Sequence, residues 1–266
     1  MEIKTTKFSQ LDGLELKEAT FQNHVFPDHF HDGYSIGIVE RGIERVSFPG
    51  KNILVHANSV IIINPYEIHA NSYFDSDRWK YRIVYINTEV MKHVQNSNGL
   101  FCNKTVWFPQ SLIDDPILYH MILNLHTDPK ISKVDDLYRM LVYLVSSYAS
   151  EKQENGPPRY LSEINYIVGF MRHHLYDKII LEQLAAKCHM DKYKFIRVFR
   201  QHTGLTPVSY LLLQRINKAK TLIAANTPIT EVALETGFYD QSHFIHCFKK
   251  YIGVAPLSYK RGLFMD

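Results

Sequence analysis

Two periodicities divide this chain. Between residues 24 and 90, apolar side chains alternate with polar ones in short runs: YSIGIVERG, IERVSFPG, KNILVHANS, VIIINPYEIHA and WKYRIVYIN, each broken by Gly, Pro or Asn. Period two in runs this short predicts strands with one buried face, and many such strands joined by regular turns predict a small barrel. From about residue 110 the spacing becomes three and four. DPILYHMILNLH and VDDLYRMLVYLVSSYASEKQ read as helices, and in the second Leu137, Leu141, Leu144, Val145 and Tyr148 recur at i, i+4, i+7, i+8 and i+11. That stripe is broader than one short helix normally needs. Dimerisation is the functional expectation for it, and packing onto the chain's own barrel is the rival.

The helical spacing resumes after SEKQENGPPRY, the strongest linker signal in the chain. In YLSEINYIVGFMRHHLYD the apolar set is Ile164, Ile167, Val168, Met171 and Leu175, with Ser162 as the expected N-cap. LEQLAAKCHMDKYKFIRVFRQHTG then predicts two short helices around a tight turn. Leu184 and Ala185 face inward, Asp191 caps the second helix, Phe195, Val198 and Phe199 recur at i, i+3 and i+4, and Gly204 ends it in the left-handed conformation. Thr206 and Pro207 open a longer helix with no breaker before Asn226. Its roughly 18 residues predict a rod of about 27 Å.

The end of the chain repeats this unit. At an offset of 49 residues Asp191 falls on Asp240, Phe195 on Phe244, Phe199 on Phe248, Gly204 on Gly253, Pro207 on Pro256, and Ser209 and Tyr210 on Ser258 and Tyr259. A unit used twice implies one surface needed twice. Two helix-turn-helix units on a rod of this length suit adjacent major-groove faces of duplex DNA, which recur about every 34 Å.

Charge agrees with that reading. The net +3 conceals +7 from residue 157 onward, where 15 Lys and Arg face 8 Asp and Glu; the remainder, 15 against 19, carries −4. A basic C-terminal part joined to a mildly acidic N-terminal part points to a polyanion met by the former alone. Periodicity leaves Lys192, Tyr193, Ile196, Arg197 and Arg200 outward in the first unit and Gln241, Ser242, Ile245, His246 and Lys249 in the second. Arg197 suits guanine and Gln241 adenine; Tyr193 and Ile196 suit thymine methyls or base edges. Arg200, Lys249, Lys250 and the rod's Arg215, Lys218 and Lys220 suit phosphates, which position without specifying. His246 replaces Arg197 in the second copy, so the first hook is expected to discriminate more.

LEQLAAKCHMDKYKFIRVFRQHTGLTPVSYLLLQRINKAKTLI with ITEVALETGFYDQSHFIHCFKKYIGVAPLSYKR, about 85 residues, resembles the paired helix-turn-helix domain of the AraC family of bacterial transcription regulators. The resemblance implies control of transcription, usually activation, with recognition helices at 191 to 202 and 240 to 251, and RNA polymerase as a partner. Two departures are Ile180, where the family often has a polar cap, and His246, where Arg is common. HFHDGYSIGIVERG, INPYEIHA and RWKYRIVYI resemble the cupin-like effector domain that precedes the DNA-binding part in many members. The implied fold class is multidomain α+β: a cupin-like barrel at 1–108, a helical dimerisation segment at 109–153, a linker at 154–159 and a DNA-binding domain of two helix-turn-helix units joined by a long helix at 160–266.

Candidate chemistry in the barrel begins with His29 and His31, two apart and so on one face of an extended strand, with His69 able to join them across the barrel. Three imidazoles suit a divalent transition metal. Metal cupins usually carry a Glu four or five residues beyond the second His, and Ser35 and Ile36 stand there, so the expectation is no metal and no cofactor. Instead His29, His31, Tyr34, His69, Asn71, Tyr81 and Ile83 are expected to line a pocket for a small organic effector, with Trp79, Tyr81, Ile83 and Tyr85 sharing one strand face. Sugar-binding members of the family place a stacking aromatic near Ile83, which points away from a sugar. A metal-binding sensor or enzyme fused to a DNA anchor, and a barrel that answers to a protein partner, stand as alternatives.

Composition sets the remaining bounds. With 45% hydrophobic and 21% charged residues in 266, the balance is that of a soluble globular protein, and the segment MEIKTTKFSQLDG has no apolar core of a signal peptide, so the protein is expected to stay in the cytoplasm. The family resemblance and the stripe at residues 137–148 add the expectation of a homodimeric regulator without enzymatic activity. MEIKTTKFSQLDG itself could lie as an arm across the barrel mouth. Cys102, Cys188 and Cys247 are an odd number at wide spacing, which fits reduced thiols used as fillers.

Overall fold

The computed structural model describes residues 2–7, 14–74, 78–101, 104–128, 133–151 and 160–263. It divides into two compact units, one running to Gln153 and the other from Glu154 to Phe264. Cys102 and the expected linker at 154–159 lie outside the described residues.

The N-terminal unit opens with nine strands: β1 Glu2–Lys7, β2 Leu14–Gln22, β3 Val25–His29, β4 Tyr34–Arg41, β5 Glu44–Phe48, β6 Lys51–Val55, β7 Val60–Ile63, β8 His69–Tyr73 and β9 Arg78–Ile86. Helix α1 Thr88–Ser97, strands β10 Val106–Trp107 and β11 Leu112–Ile113, helices α2 Pro116–Thr127 and α3 Lys133–Tyr148, and strand β12 Ser150–Glu151 complete it. A six-stranded sheet in the order β1-β2-β9-β4-β7-β11 faces a four-stranded sheet in the order β3-β8-β5-β6, and β10 pairs with β12. Strand β1 pairs antiparallel with β2, so residues 2 to 7 form a sheet edge instead of an arm.

Strand alternation gives the large sheet two different faces. Inward, Ala19, Phe21, Val39, Ile61, Trp79 and Tyr81 meet Phe26, Val46, Phe48 and Val55 of the small sheet in one apolar cluster. Outward, Leu14, Leu16, Ile36, Ile38, Val84 and Ile86 pack against α1, α2 and α3. The stripe expected to dimerise lies in this second cluster: Leu137, Leu141, Leu144 and Val145 are at most 2% exposed. Tyr148 donates to Asp115 Oδ2 at 2.6 Å, and the same residue's Oδ1 caps α2 by accepting from Ile117 and Leu118 N–H. The broad stripe is broad because it covers a sheet, and the dimerisation assignment is corrected accordingly.

The C-terminal unit contains α4 Leu161–His173, α5 Leu181–Lys187, α6 Lys192–Thr203, α7 Pro207–Ala224, α8 Ile229–Glu235, α9 Gln241–Ile252 and α10 Pro256–Leu263. Helix α7 runs unbroken for 18 residues, with Thr206 Oγ1 accepting from Ser209 N–H. The two copies repeat down to their packing. Gly204 and Gly253 end α6 and α9 at φ 73° and 94°, values a Cβ resists, and the pairs Phe195–Phe199 and Phe244–Phe248 both hold ring centroids 5.6 Å apart. All four phenylalanines are fully buried, each contributing about 1.5–3 kcal/mol. One end differs from expectation. Tyr160, at φ 68°, occupies the N-cap of α4, and Ser162 lies one residue inside the helix with its hydroxyl donating to Glu163 at 2.8 Å.

Candidate functional site

Helices α6 and α9 each begin with an aspartate cap. Asp191 Oδ1 accepts from Tyr193 and Lys194 N–H at 3.0 and 2.9 Å, and Asp240 Oδ1 from His243 N–H at 2.7 Å. Once the phenylalanines fill the core, Tyr193, Arg197, Arg200, Gln241, Ser242, His246, Lys249 and Lys250 are exposed, and Ile196 and Ile245 are half-buried at the margin. Lys192 is half-buried and pairs with Glu182 of α5 at 2.7 Å. An exposed pair of this kind is weak.

Two residues depart from the sequence reading. Arg215 is no phosphate contact: its Nε donates to Leu175 O at 2.7 Å and its Nη2 to Asp177 O at 3.0 Å, tying α7 to the turn after α4. Tyr239, outside the expected set, is 93% exposed at the mouth of α9. The turn explains it. Met190 N–H reaches Ala185 O and Phe238 N–H reaches Ala233 O, an offset of 48, while the caps Asp191 and Asp240 are offset by 49. The second turn therefore holds one extra residue, Tyr239, and a register count across the whole unit would have revealed it. Beside α6, a cleft of about 720 Å³ is lined by Tyr160, Leu161, Lys194, Arg197, Gln201 and His202, so Lys194 joins Arg197 on the basic surface.

The barrel interior holds most of the second candidate site. Trp79, Tyr81 and Ile83 face inward as the alternation predicts, and Asn71 reaches inward to donate to Glu44 Oε1 at 2.9 Å. Tyr34 does not join them. It belongs to the outer cluster, 2% exposed, and donates to Val106 O at 2.8 Å, because 34 shares parity with Ile36 and Ile38 on the helix-facing side. Two buried ionisable residues were missed: Glu44 and Lys17. Lys17 Nζ lies about 6 Å from the rings of both Phe21 and Tyr81. Desolvation pushes the Glu44 carboxyl up to about 7, against the smaller opposing effect of the Asn71 hydrogen bond. Parity with Ala19 and Val46 was the available signal for both. The indole Nε1 of Trp79 and the hydroxyl of Ser35 are buried with no hydrogen-bond partner among the described residues.

At one end of this interior His29 and His69 stand opposite each other in the β3–β8 pairing, and His31 joins them. Ring centroids are 4.2 Å apart for His29–His69, 5.0 Å for His29–His31 and 5.2 Å for His31–His69. Burial holds His29 down to about 4 and His69 well below its ordinary value, so both imidazoles are neutral at pH 7. Cys188 and Cys247 are buried free thiols, as fillers should be.

Comparison with known proteins follows the same division. Residues 13–139 match the model of the AraC-like ligand binding domain and residues 184–262 that of a helix-turn-helix domain. An uncharacterised HTH-type transcriptional regulator of Bacillus subtilis, YbfI, is 26% identical over 82% of this chain and 81% of its own. The HTH-type transcriptional activator RhaS of Klebsiella pneumoniae is 23% identical over 92% and 91%. Among solved structures, unsaturated fatty acid bound ToxT from Vibrio cholerae shares the fold with a TM-score of 0.61 at 12% identity, over 96% of this chain and 97% of that one. No described helix is long and apolar enough to cross a membrane.

Proposed function

Because this chain belongs to the AraC family of transcription regulators, and so is a DNA-binding regulator with an N-terminal ligand-binding domain instead of an enzyme, we propose that it is a cytoplasmic activator governed by a small organic effector in the barrel. The effector contacts Glu44, Asn71, Tyr81, Ile83 and Lys17. The observation that carries this reading is the polar set sealed inside an otherwise apolar barrel. A buried carboxyl and two polar groups without a hydrogen-bond partner among the described residues cost stability that a core of this size has no structural need to give up. A ligand with an apolar body and a few hydrogen-bonding groups would offset that cost. On the DNA side, Arg197 and Gln241 read bases, while Arg200, Lys249 and Lys250 hold phosphates. The chain acts as a homodimer, through a surface other than the α3 stripe, and the family resemblance supplies RNA polymerase as its partner.

The test is selection of host genomic fragments by the full-length protein, with and without fractionated small metabolites. A recurrent sequence upstream of genes, whose recovery changes with one metabolite fraction and no longer does so in Glu44→Gln, is the expected result. Fragments recovered without sequence preference would refute the DNA assignment. A preference that no fraction alters would refute the effector and favour a protein partner.

A further inference from the structure

We propose that His29, His31 and His69 form a binding site for one divalent transition-metal ion, one imidazole nitrogen coming from each. Their ligand nitrogens already lie within 4.8 Å of one another. Around a tetrahedral ion at about 2.1 Å such nitrogens sit about 3.4 Å apart, so adjustments of about an ångström close the site.

The hydrogen bonds fix which nitrogens are offered. His29 Nδ1 is 2.8 Å from Pro27 O and His69 Nδ1 is 2.9 Å from Glu67 O. A carbonyl oxygen only accepts, so each Nδ1 carries the proton and each Nε2 a lone pair. Ring N–H groups anchored on backbone carbonyls are the usual support of metal-bound histidines, because they lock tautomer and ring orientation.

The missing carboxylate does not exclude the site; it selects the ion. Ser35 stands four residues beyond His31, across β4–β9 from Tyr85, whose ring is 5.0 Å from that of His31. Three imidazole ligands favour zinc, nickel, cobalt or copper over magnesium or calcium, and leave a coordination position for water or a ligand oxygen. Glu44 pairs with Tyr73, two inward positions along β8 from His69, so the ion and the effector groups of the preceding section occupy successive levels of the barrel.

The site is tested on the untagged full-length chain, stripped with a chelator and titrated with Zn²⁺ and with Co²⁺ in the absence of DNA and metabolites. The expected result is one ion per chain, visible d–d absorption for Co²⁺, and affinity at least about tenfold weaker in both His31→Gln and His69→Gln. His173→Gln, at an exposed position on α4, should bind normally. Should His69→Gln fail to fold, half-buried His31 keeps the test decisive. Failure of the wild type to retain an ion, or undiminished binding by His31→Gln, overturns the proposal. Because the readout is ion stoichiometry on protein alone, its failure leaves the effector reading intact, and failure of that reading leaves the ion count unchanged.

Discussion

The two units place their chemistry on opposite sides of their cores. In the helical unit no described charged side chain is buried around α6 and α9, and the charged and amide groups stand outside. In the barrel, Lys17, Glu44, His29 and His69 are buried between the sheets, while the outer face of β9 carries a half-buried ion-pair net in which Lys80 bridges Glu18 and Glu40 at 2.8 Å each and buried Arg82 pairs with the same two carboxylates. The cause is geometric. Short helices around a rod leave room only for the side chains that hold them together, whereas two facing sheets enclose a volume in which every second residue of every strand has a place. A helical DNA reader is therefore read by what it exposes, and a barrel by what it fails to neutralise.

Removing core from the helical side tests that contrast most strongly. Phe248→Ala should cost about 3–5 kcal/mol, seen in denaturant unfolding of the helical signal together with loss of DNA binding; a cost under about 1 kcal/mol would mean the aromatic stack does not hold the second hook.

On the barrel side the largest effect is one of pH. Folded Glu44, pushed up to about 7, keeps a proton that the unfolded chain releases above about 4.5. Stability should therefore fall as pH rises from about 4.5 through 7 and then level, a loss of roughly 3 kcal/mol. Glu44→Gln should abolish that slope and be the more stable protein at about pH 8. An unchanged slope would put the cause elsewhere.

Surface changes come next. Arg197→Ala should cost about 1–3 kcal/mol at the preferred sequence and relax base choice, whereas Lys249→Ala should weaken all sequences alike and flatten the salt dependence by about one unit. Identical behaviour would erase the distinction between reading and positioning. Smallest of all, Tyr34→Phe removes one buried hydrogen bond to Val106 O, for about 1 kcal/mol. Ligand-induced stabilisation of the barrel should not change; if it does, Tyr34 senses the ligand from the outer face.

By itself the sequence determined the repeated unit, its caps at Asp191 and Asp240, the unbroken rod from Pro207 and the outward set on α6 and α9. Each follows from spacings within a dozen residues, where helical geometry leaves little choice. Alternation likewise told that Trp79, Tyr81, Ile83 and Tyr85 share a face. What it does not tell is which face looks inward in which strand: Tyr34, expected in the pocket, lies on the outer side of its sheet, and Lys17 and Glu44 lie on the inner side. The α3 stripe shows the same limit: its breadth was legible, but only the tertiary structure decided that a sheet covers it. The meeting of His29 and His31 with His69, some 40 residues away, was visible only as a possibility; their convergence rests on the pairing of β3 with β8, a contact that no local spacing specifies.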